Sequence, residues 1–137
     1  MKALVFGTFD VIHPGHLSFL RQAHGKDNYV VASIARDRFV ETFKGRRPLH
    51  SEEERLASIL ETGLVDEAYL SDEELGTYSV ISRIRPDIIY FGHDQELLRD
   101  NLREWLKQNG IDIPTRTLKA FKPDIYKSSK ILTSRSR

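Results

Sequence analysis

Short apolar runs alternate with helical patterns along the whole chain, and this alternation constrains the fold more than any other feature. The runs that predict strands are Ala3–Phe6, Tyr29–Ile34, Ala68–Leu70, Ile88–Phe91 and Ile111–Leu118. The first, second and fourth are almost continuously apolar, which is typical of parallel strands covered on both faces. Alternating strands and helices predict parallel strands joined by right-handed crossovers. We therefore expect a single α/β domain with a doubly wound, five-stranded parallel sheet.

Helical periodicity fills the gaps between these strands. The second predicted helix has the clearest start, because Ser51 and Glu54 have the spacing of a capping box, and Gly63 is well placed to end it. By contrast, Glu41–Leu49 is rich in glycine and charge and predicts a mobile loop between the second strand and that helix. The other predicted helices are His16–Ala23, Tyr78–Ile84 and Gln95–Gln108.

The charge balance and the absence of cysteine exclude several classes of function. The 137 residues suit one domain, and 21 basic against 20 acidic residues leave a net charge of +1. Such near-neutrality argues against a protein that coats nucleic acid, so we expect no nucleic-acid partner. Without cysteine there is no disulfide, no zinc–thiolate site and no thiol nucleophile.

Hydropathy gives an expectation for localisation. No apolar run approaches the roughly 20 residues that span a bilayer, and the N-terminus lacks a basic segment leading into an apolar stretch. We therefore expect a cytoplasmic protein with no membrane partner. Residues 119–137 contain six Lys or Arg and one Asp, and we expect them to be a partly ordered basic segment of the single domain 1–137.

The turn after the first strand contains the residues best placed for chemistry. In open α/β sheets, ligands bind outside the carboxyl ends of the strands, where the strand order reverses. Residues 7–16 read GTFDVIHPGH. This is neither the G-x-G-x-x-G dinucleotide pattern nor the G-x-x-x-x-G-K-[ST] phosphate loop, so the turn indicates neither NAD binding nor a P-loop.

Two imidazoles, His13 and His16, stand three residues apart where this strand gives way to a helix. Gly7 and Gly15 would let the backbone approach a ligand closely, and the free N–H groups of the helix would face the turn. These donors suit a phosphorus centre with accumulating negative charge. Spacing alone leaves two alternatives open: a surface pair without function, and a metal pair for which no third ligand is indicated, with His93 a candidate only by assumption.

Several blocks of the sequence resemble one family. Residues 7–16 are similar to the GTFDxxHxGH signature of the nucleotidyltransferase superfamily, which cytidylyltransferases and archaeal-type FAD synthases share. Lys44 resembles the family's triphosphate-binding lysine, and Arg55 in SEEER matches an arginine at the start of the following helix. Residues 92–95, GHDQ, resemble the GxDQ of FAD synthases more than the GDD of glycerol-phosphate cytidylyltransferases. Residues 127–131, KSSKI, resemble the family's STTKI or SSSKI segment.

This resemblance implies a Rossmann-like fold and one reaction, in which a phosphate monoester attacks the α-phosphorus of a nucleoside triphosphate and pyrophosphate leaves. Because the attacking oxygen is already an anion, no general base is required, and catalysis consists of positioning and charge neutralisation. The implied catalytic residues are His13 and His16 at the α-phosphate, and Lys44 and Lys130 at the β- and γ-phosphates. The implied nucleotide-binding residues are Gly7, Thr8, Phe9, Asp10, Gly15, Arg55, Gly92, Asp94, Gln95, Ser128 and Ser129.

Three of these assignments have a structural alternative. Asp10 could contact the metal or its water shell, or it could fix the turn by accepting hydrogen bonds from backbone N–H groups. Arg55 is unfavourable for the helix dipole at a helix start, so it could bind a phosphate or a base, or pair with a neighbouring glutamate. Lys44, Arg46 and Arg47 could form a loop that closes over the triphosphate, or a solvated basic surface.

The resemblance also implies a cofactor and partners. Mg²⁺ or another divalent cation would bridge phosphate oxygens and keep several of its waters, so no protein residue is assigned as a metal ligand. The small-molecule partners would be a nucleoside triphosphate and a phosphorylated acceptor. The family resemblance implies a homodimer.

The acceptor is open at this point. The GHDQ block favours transfer of AMP to FMN, which gives FAD, and a cytidylyltransferase acting on glycerol 3-phosphate or a related polyol or sugar phosphate is the alternative within the family. A non-catalytic nucleotide-binding module is the alternative of another class. Ile125 and Lys127 stand where cytidylyltransferases usually have Gly and Ser, and the C-terminal cysteines of archaeal FAD synthases are missing.

Overall fold

Five parallel strands form the sheet. The computed structural model describes residues 1–74 and 76–120. The strands are β1 (Lys2–Gly7), β2 (Tyr29–Ile34), β3 (Glu67–Leu70), β4 (Ile88–Phe91) and β5 (Thr115–Thr117), in the order β3-β2-β1-β4-β5. Every neighbouring pair is parallel. The predicted doubly wound, five-stranded parallel sheet is therefore confirmed.

The connections between the strands locate the crevice where a ligand would bind. From β1 the chain builds outward through β2 and β3, and then returns to the other side of β1 for β4 and β5. The strand order therefore reverses between β1 and β4, and the carboxyl ends of these two strands define the crevice. None of the helices in the described ranges is long and apolar enough to cross a membrane. The helices are α1 (Pro14–His24), α2 (Asp37–Lys44), α3 (Glu52–Glu61), α4 (Ser79–Ile84) and α5 (Glu96–Gln108).

Two apolar cores, one on each face of the sheet, hold the central strand in place. Ala3 and Val5 of β1 point into a core that α1 and α3 cover, whereas Leu4 and Phe6 point into a core that α4 and α5 cover. Full burial of a large apolar side chain contributes about 1.5–3 kcal/mol relative to leaving it exposed. Burial on both faces therefore makes β1 a fixed support for the turn that follows it.

The prediction of a mobile loop over Glu41–Leu49 is wrong in its first half, because Asp37–Lys44 forms α2. Val40 is the buried residue of this helix. Asp37 places a negative charge in the first turn, which the helix dipole favours. Gly45 then ends the helix in the left-handed conformation, with φ 70°. The segment was predicted as a loop because it contains many charged residues, although these residues are compatible with a helix.

Two other element boundaries differ from prediction for local reasons. Strand β5 has three residues, far fewer than Ile111–Leu118. The Pro114 carbonyl still accepts from the Ile89 N–H (3.0 Å), but Pro114 has no N–H to donate, so the ladder with β4 does not extend further towards Ile111. Helix α1 begins at Pro14, where a proline is favoured, and not at His16.

The chain that leaves β5 is held against α1. The side-chain amide of Gln22 accepts a hydrogen bond from the Lys119 N–H (3.1 Å) and donates one to the Lys119 carbonyl (3.0 Å). The expectation of a partly ordered segment over residues 119–137 is tested only at Lys119 and Ala120, because residues 121–137 lie outside the described residues.

Candidate active site

The turns that follow β1 and β4 meet at the reversal of strand order, and Gln95 links them. Its side-chain amide donates to the carbonyl of Phe6 at the end of β1 (2.8 Å) and accepts from the N–H of Gly92 after β4 (2.8 Å). The prediction gave Gln95 a nucleotide contact, whereas the structure places both of its amide atoms on backbone. Gln95 therefore fixes the geometry of the crevice.

His13 and His16 form the capping box that starts α1. His13 is the N-cap, and its Nδ1 accepts hydrogen bonds from the N–H of Gly15 (3.1 Å) and of His16 (3.4 Å). In return, Nδ1 of His16 accepts from the backbone N–H of His13 (3.3 Å). The two rings stack with their centroids 3.7 Å apart and an interplanar angle of 20°. Sequence spacing indicated the pair but not this reciprocal arrangement.

The capping box fixes which ring nitrogen carries the proton. A nitrogen that accepts a hydrogen bond is unprotonated, so each neutral ring carries its proton on Nε2. The sequence predicted free backbone N–H groups at this helix start, and that prediction is wrong for the first turn. Pro14 has no N–H, the N–H groups of Gly15 and His16 are bonded to His13, and the N–H of Leu17 bonds to the His13 carbonyl. The donors that remain for a ligand at this helix start are the imidazole Nε2–H groups of the neutral rings.

The environment keeps the His16 ring neutral. Burial lowers the pKa of His16 to about 4, and the neighbouring His13 acts in the same direction. The Val11 carbonyl and the carboxylate of Asp94 raise this pKa, while the charge of Lys44 lowers it. Protonation would also place a hydrogen on Nδ1, where the His13 N–H already points. At neutral pH, His16 is therefore uncharged.

Phe9 packs its ring against the imidazole of His16. Its ring lies edge-on to His16 with centroids 5.3 Å apart, and the residue is 4% exposed. Its backbone has a φ of 50°, which is rare for a bulky residue. A Cβ on Gly7 would lie 2.4 Å from the Phe9 ring, so only glycine fits there. The structural role of Phe9 adds to the backbone contact that the resemblance implied.

Asp10 holds the chain segment that leads into α3. Its two carboxylate oxygens accept from the N–H groups of Leu49 (2.8 Å) and His50 (2.9 Å). Although partial burial raises the pKa of Asp10, these two backbone hydrogen bonds bring it below its usual value. Asp10 therefore fixes backbone, as in the structural alternative, but it fixes a segment 39 and 40 residues further along the chain.

Arg55 has no exposed side-chain surface for the predicted phosphate or base contact. Its side chain is completely buried. The guanidinium donates to the carbonyl of His50 (3.2 Å), the carbonyl of Thr8 (2.9 Å) and the carboxylate of Asp37 (2.7 Å). The predicted alternative was an ion pair with a neighbouring glutamate, but the partner is Asp37, which lies 18 residues away.

Sequence reasoning missed Asp37 and Glu52, which bind each other's helix start. The Asp37 N–H donates to the Glu52 carboxylate (2.8 Å), and the Glu52 N–H donates to the Asp37 carboxylate (3.3 Å). Glu52 also pairs with Arg36 at 3.1 Å. The signal in the sequence was an acidic residue at the first position of each helix. At Asp37 this signal could not be used, because α2 was not predicted.

The predicted cationic residues lie at an exposed tip. Lys44, Arg46 and Arg47 are all exposed, and Arg47 makes a loose ion pair with Glu41 at 3.6 Å. On the other side of the crevice Asp94 is also exposed. Gly92 allows this turn to be tight, since a Cβ there would lie 3.1 Å from an Asp94 oxygen. Ser128, Ser129 and Lys130 lie outside the described residues.

A divalent cation has no resident site in the described part of the chain. Among residues 1–74 and 76–120, no group of three His, Asp or Glu side chains could hold a metal ion. Asp10, the acidic residue nearest the imidazole pair in sequence, has both oxygens bonded to backbone.

A Rossmann-like sheet with an HxGH turn at its reversal point defines a class of nucleotide-binding α/β proteins. Within that class, the chain belongs to the cytidylyltransferase-like family, whose model matches residues 4–134. The nucleotidyltransferase resemblance is thereby confirmed.

Named relatives cover most of the chain. A FAD synthase of Thermococcus sibiricus is 35% identical over 133 residues, which are 96% of this chain and 90% of that protein. A FAD synthase of Methanothermobacter thermautotrophicus is 40% identical over 119 residues, which are 85% of this chain and 78% of that protein.

Solved structures extend the comparison. The lipopolysaccharide core biosynthesis protein from Thermoplasma volcanium has a TM-score of 0.80 and 28% identity, over 89% of this chain and 98% of that one. A pantoate-beta-alanine ligase from Francisella tularensis has a TM-score of 0.62 and 12% identity, over 89% of this chain and 60% of that one. The second likeness concerns the fold alone.

Proposed function

We propose that the protein is an FMN adenylyltransferase, which transfers AMP from ATP to the phosphate of FMN and releases FAD and pyrophosphate. One observation carries the proposal: the paired imidazoles lie at the reversal point of the sheet in a chain whose relatives are FAD synthases. Those relatives are 33–41% identical over 80–98% of the chain. The GHDQ block after β4 agrees with this choice of substrate.

The proposed reaction needs orientation and charge neutralisation. An oxygen of the FMN phosphate forms a bond to the α-phosphorus of ATP, and the bond from that phosphorus to the oxygen it shares with the β-phosphate breaks. Pyrophosphate leaves with the electron pair. The Nε2–H groups of His13 and His16 donate to oxygens of the α-phosphate, where negative charge increases in the transition state. Since both donors are preorganised by the capping box, little reorganisation is needed during the reaction.

The remaining contacts concern the leaving group. Lys44 would neutralise the β- and γ-phosphates, and Lys130, Ser128 and Ser129 remain proposed contacts of the same triphosphate. A divalent cation would be bound as part of the nucleotide substrate and would neutralise charge on the phosphate oxygens. A cytoplasmic homodimer without nucleic-acid partners also stays a proposal, which rests on composition and on the family resemblance.

A matrix of four substrate pairs tests the proposed function. ATP or CTP is combined with FMN or glycerol 3-phosphate in the presence of Mg²⁺, and pyrophosphate release is measured together with product chromatography. We expect turnover with ATP and FMN, and FAD as the product.

The other outcomes of this matrix identify the competing functions. Turnover with CTP and glycerol 3-phosphate would favour the cytidylyltransferase alternative. The name of the matching family, cytidylyltransferase-like, agrees with that alternative. Nucleotide binding without turnover in any of the four pairs would indicate a non-catalytic module.

Stability should depend on pH through His16. The folded pKa of about 4 lies below the reference value of 6.5, so between these values the unfolded chain binds a proton that the folded chain does not. The contribution of neutral His16 to the free energy of unfolding is fully present above pH 6.5 and is lost as the pH falls towards 4. We expect the melting temperature of the wild type to fall over this window more steeply than that of His16→Ala, measured by circular dichroism. Parallel curves would contradict the buried, neutral state of His16.

A further inference from the structure

The buried ion pair of Arg55 and Asp37 joins two parts of the crevice that are distant in sequence. Through Arg55, the carbonyl of Thr8 in the turn after β1 is connected to Asp37 at the first residue of α2. The distances are 2.9 Å and 2.7 Å. The turn carries the imidazole pair, and α2 carries Lys44 at its last position.

Both ends of the segment around Lys44 are fixed to the same turn. At the first end, Asp37 is bonded to Arg55 and shares reciprocal hydrogen bonds with Glu52. At the second end, the N–H groups of Leu49 and His50 are bonded to Asp10. Between these two attachments, residues 44–47 are exposed. Helix α2 has eight residues, so it spans about 12 Å at 1.5 Å per residue and acts as a short rigid spacer between Asp37 and Lys44.

The Arg55–Asp37 ion pair fixes the start of α2 to the turn after β1 in one geometry. The guanidinium presents its donors in a fixed planar arrangement, and here three of them point at three different chain segments. Its side chain has no exposed surface, so the charge depends on Asp37 for neutralisation. Displacement of Asp37 would therefore move the base of α2 and the carbonyl of Thr8 relative to each other.

We infer that Asp37 is a positioning residue of the nucleotidyl transfer, which acts through Arg55 and α2 to set the distance between Lys44 and the imidazole pair. The inference rests on the proposed function for the role of Lys44 at the triphosphate. Asp37 does not itself touch substrate. A displacement of about 1 Å at a reacting group can cost about 100-fold in rate, so an attachment at this point has a measurable effect.

A double-mutant cycle between Asp37 and Lys44 tests this inference. We expect Lys44→Ala to lower kcat/KM for ATP about 100-fold in the wild type, because it removes a cation from the leaving group. Asp37→Asn should lower the same quantity about 10- to 100-fold. In the Asp37→Asn background, Lys44→Ala should then cost less than about fivefold, because the lysine is already misplaced.

The non-additivity separates positioning from mere destabilisation. A variant that only lowers the folded fraction reduces activity by the same factor whether or not Lys44 is present, so additive effects would overturn the inference. Absence of any effect of Lys44→Ala in the wild type would overturn it as well. Failure of the proposed function is recognised separately, because the wild type would then produce no FAD from ATP and FMN.

Two further variants keep the test interpretable. Asp72→Asn is the matched control. The Asp72 carboxylate also accepts a helix-start N–H, that of Ser79 at 2.8 Å, but within residues 1–74 and 76–120 its hydrogen bonds go to Thr77 and Ser79, away from α2 and the turn after β1. In that background Lys44→Ala should keep its full effect. If Asp37→Asn does not fold, Asp37→Glu retains the charge that Arg55 needs and shifts the attachment by one methylene, and the same loss of the Lys44 effect is expected.

Discussion

His16→Ala should lower kcat about 100- to 1000-fold with ATP and FMN, the range found when one preorganised oxyanion donor is removed. In the proposed reaction His16 donates its uncharged Nε2–H to the α-phosphate, and alanine has no group that replaces it. The measurement is steady-state kinetics with pyrophosphate release as the signal. The fold should persist, because His13 still accepts the N–H groups of Gly15 and residue 16 at the start of α1.

His24→Ala is the matched control for this experiment. It removes a histidine from the last turn of the same helix, where Nδ1 of the ring lies 3.2 Å from the carbonyl oxygen of Gly25. Its kcat should stay within about twofold of the wild type, as for a surface substitution. Equal losses in the two variants would show that α1 had been disturbed in general. Full activity of a folded His16→Ala variant would contradict the assignment of the imidazole as a donor.

Gly7→Ala should lower both the stability and the activity of the protein. The new Cβ would lie 2.4, 2.6 and 2.9 Å from three atoms of the Phe9 ring, and that ring is buried. Overpacking of this kind costs about 1–3 kcal/mol. Because the same ring supports His16, we expect at least about a tenfold loss of kcat as well. Chemical denaturation and steady-state kinetics on the same preparation measure both effects.

Gly92→Ala provides the comparison at the other turn of the crevice. There the new Cβ would lie 3.1 Å from a carboxylate oxygen of Asp94, at the end of an exposed side chain that can rotate away. The loss of stability should therefore be clearly smaller than for Gly7→Ala. If the two variants were equally stable, the described packing of Phe9 against Gly7 would be incorrect.

The sequence predicted the sheet because strand burial leaves a local signature. Continuous apolar runs such as those of β1, β2 and β4 occur where both faces are covered, and each is followed by enough residues for at least one helix. Helix α2 escaped prediction because only Val40 is buried among its eight residues. Its three apolar residues, Phe39, Val40 and Phe43, are interspersed with four charged ones, so the short segment resembled a charged loop.

The candidate site was predictable only where function depends on neighbours in sequence. His13 and His16 lie one helical turn apart, so their pairing follows from spacing once a helix is expected there. Arg55 and Gln95 were predicted as nucleotide contacts, but in the structure they bind remote parts of the chain: Asp37 lies 18 residues from Arg55, and Phe6 lies 89 residues from Gln95. No local pattern encodes such contacts. Reasoning from sequence therefore identified these residues without identifying what they bind.

The double use of His13 has a practical consequence for trapping a ligand in a crystal. A variant used to trap substrate must lack activity and still keep the native structure of the crevice. Truncation of His13 to alanine would disturb that structure, because the N–H groups of Gly15 and His16 would lose their acceptor. Asparagine is among the best N-cap residues, so its side-chain oxygen would satisfy the helix start while the imidazole donor is absent. An inert form made in this way keeps the entrance of the crevice intact for crystallography.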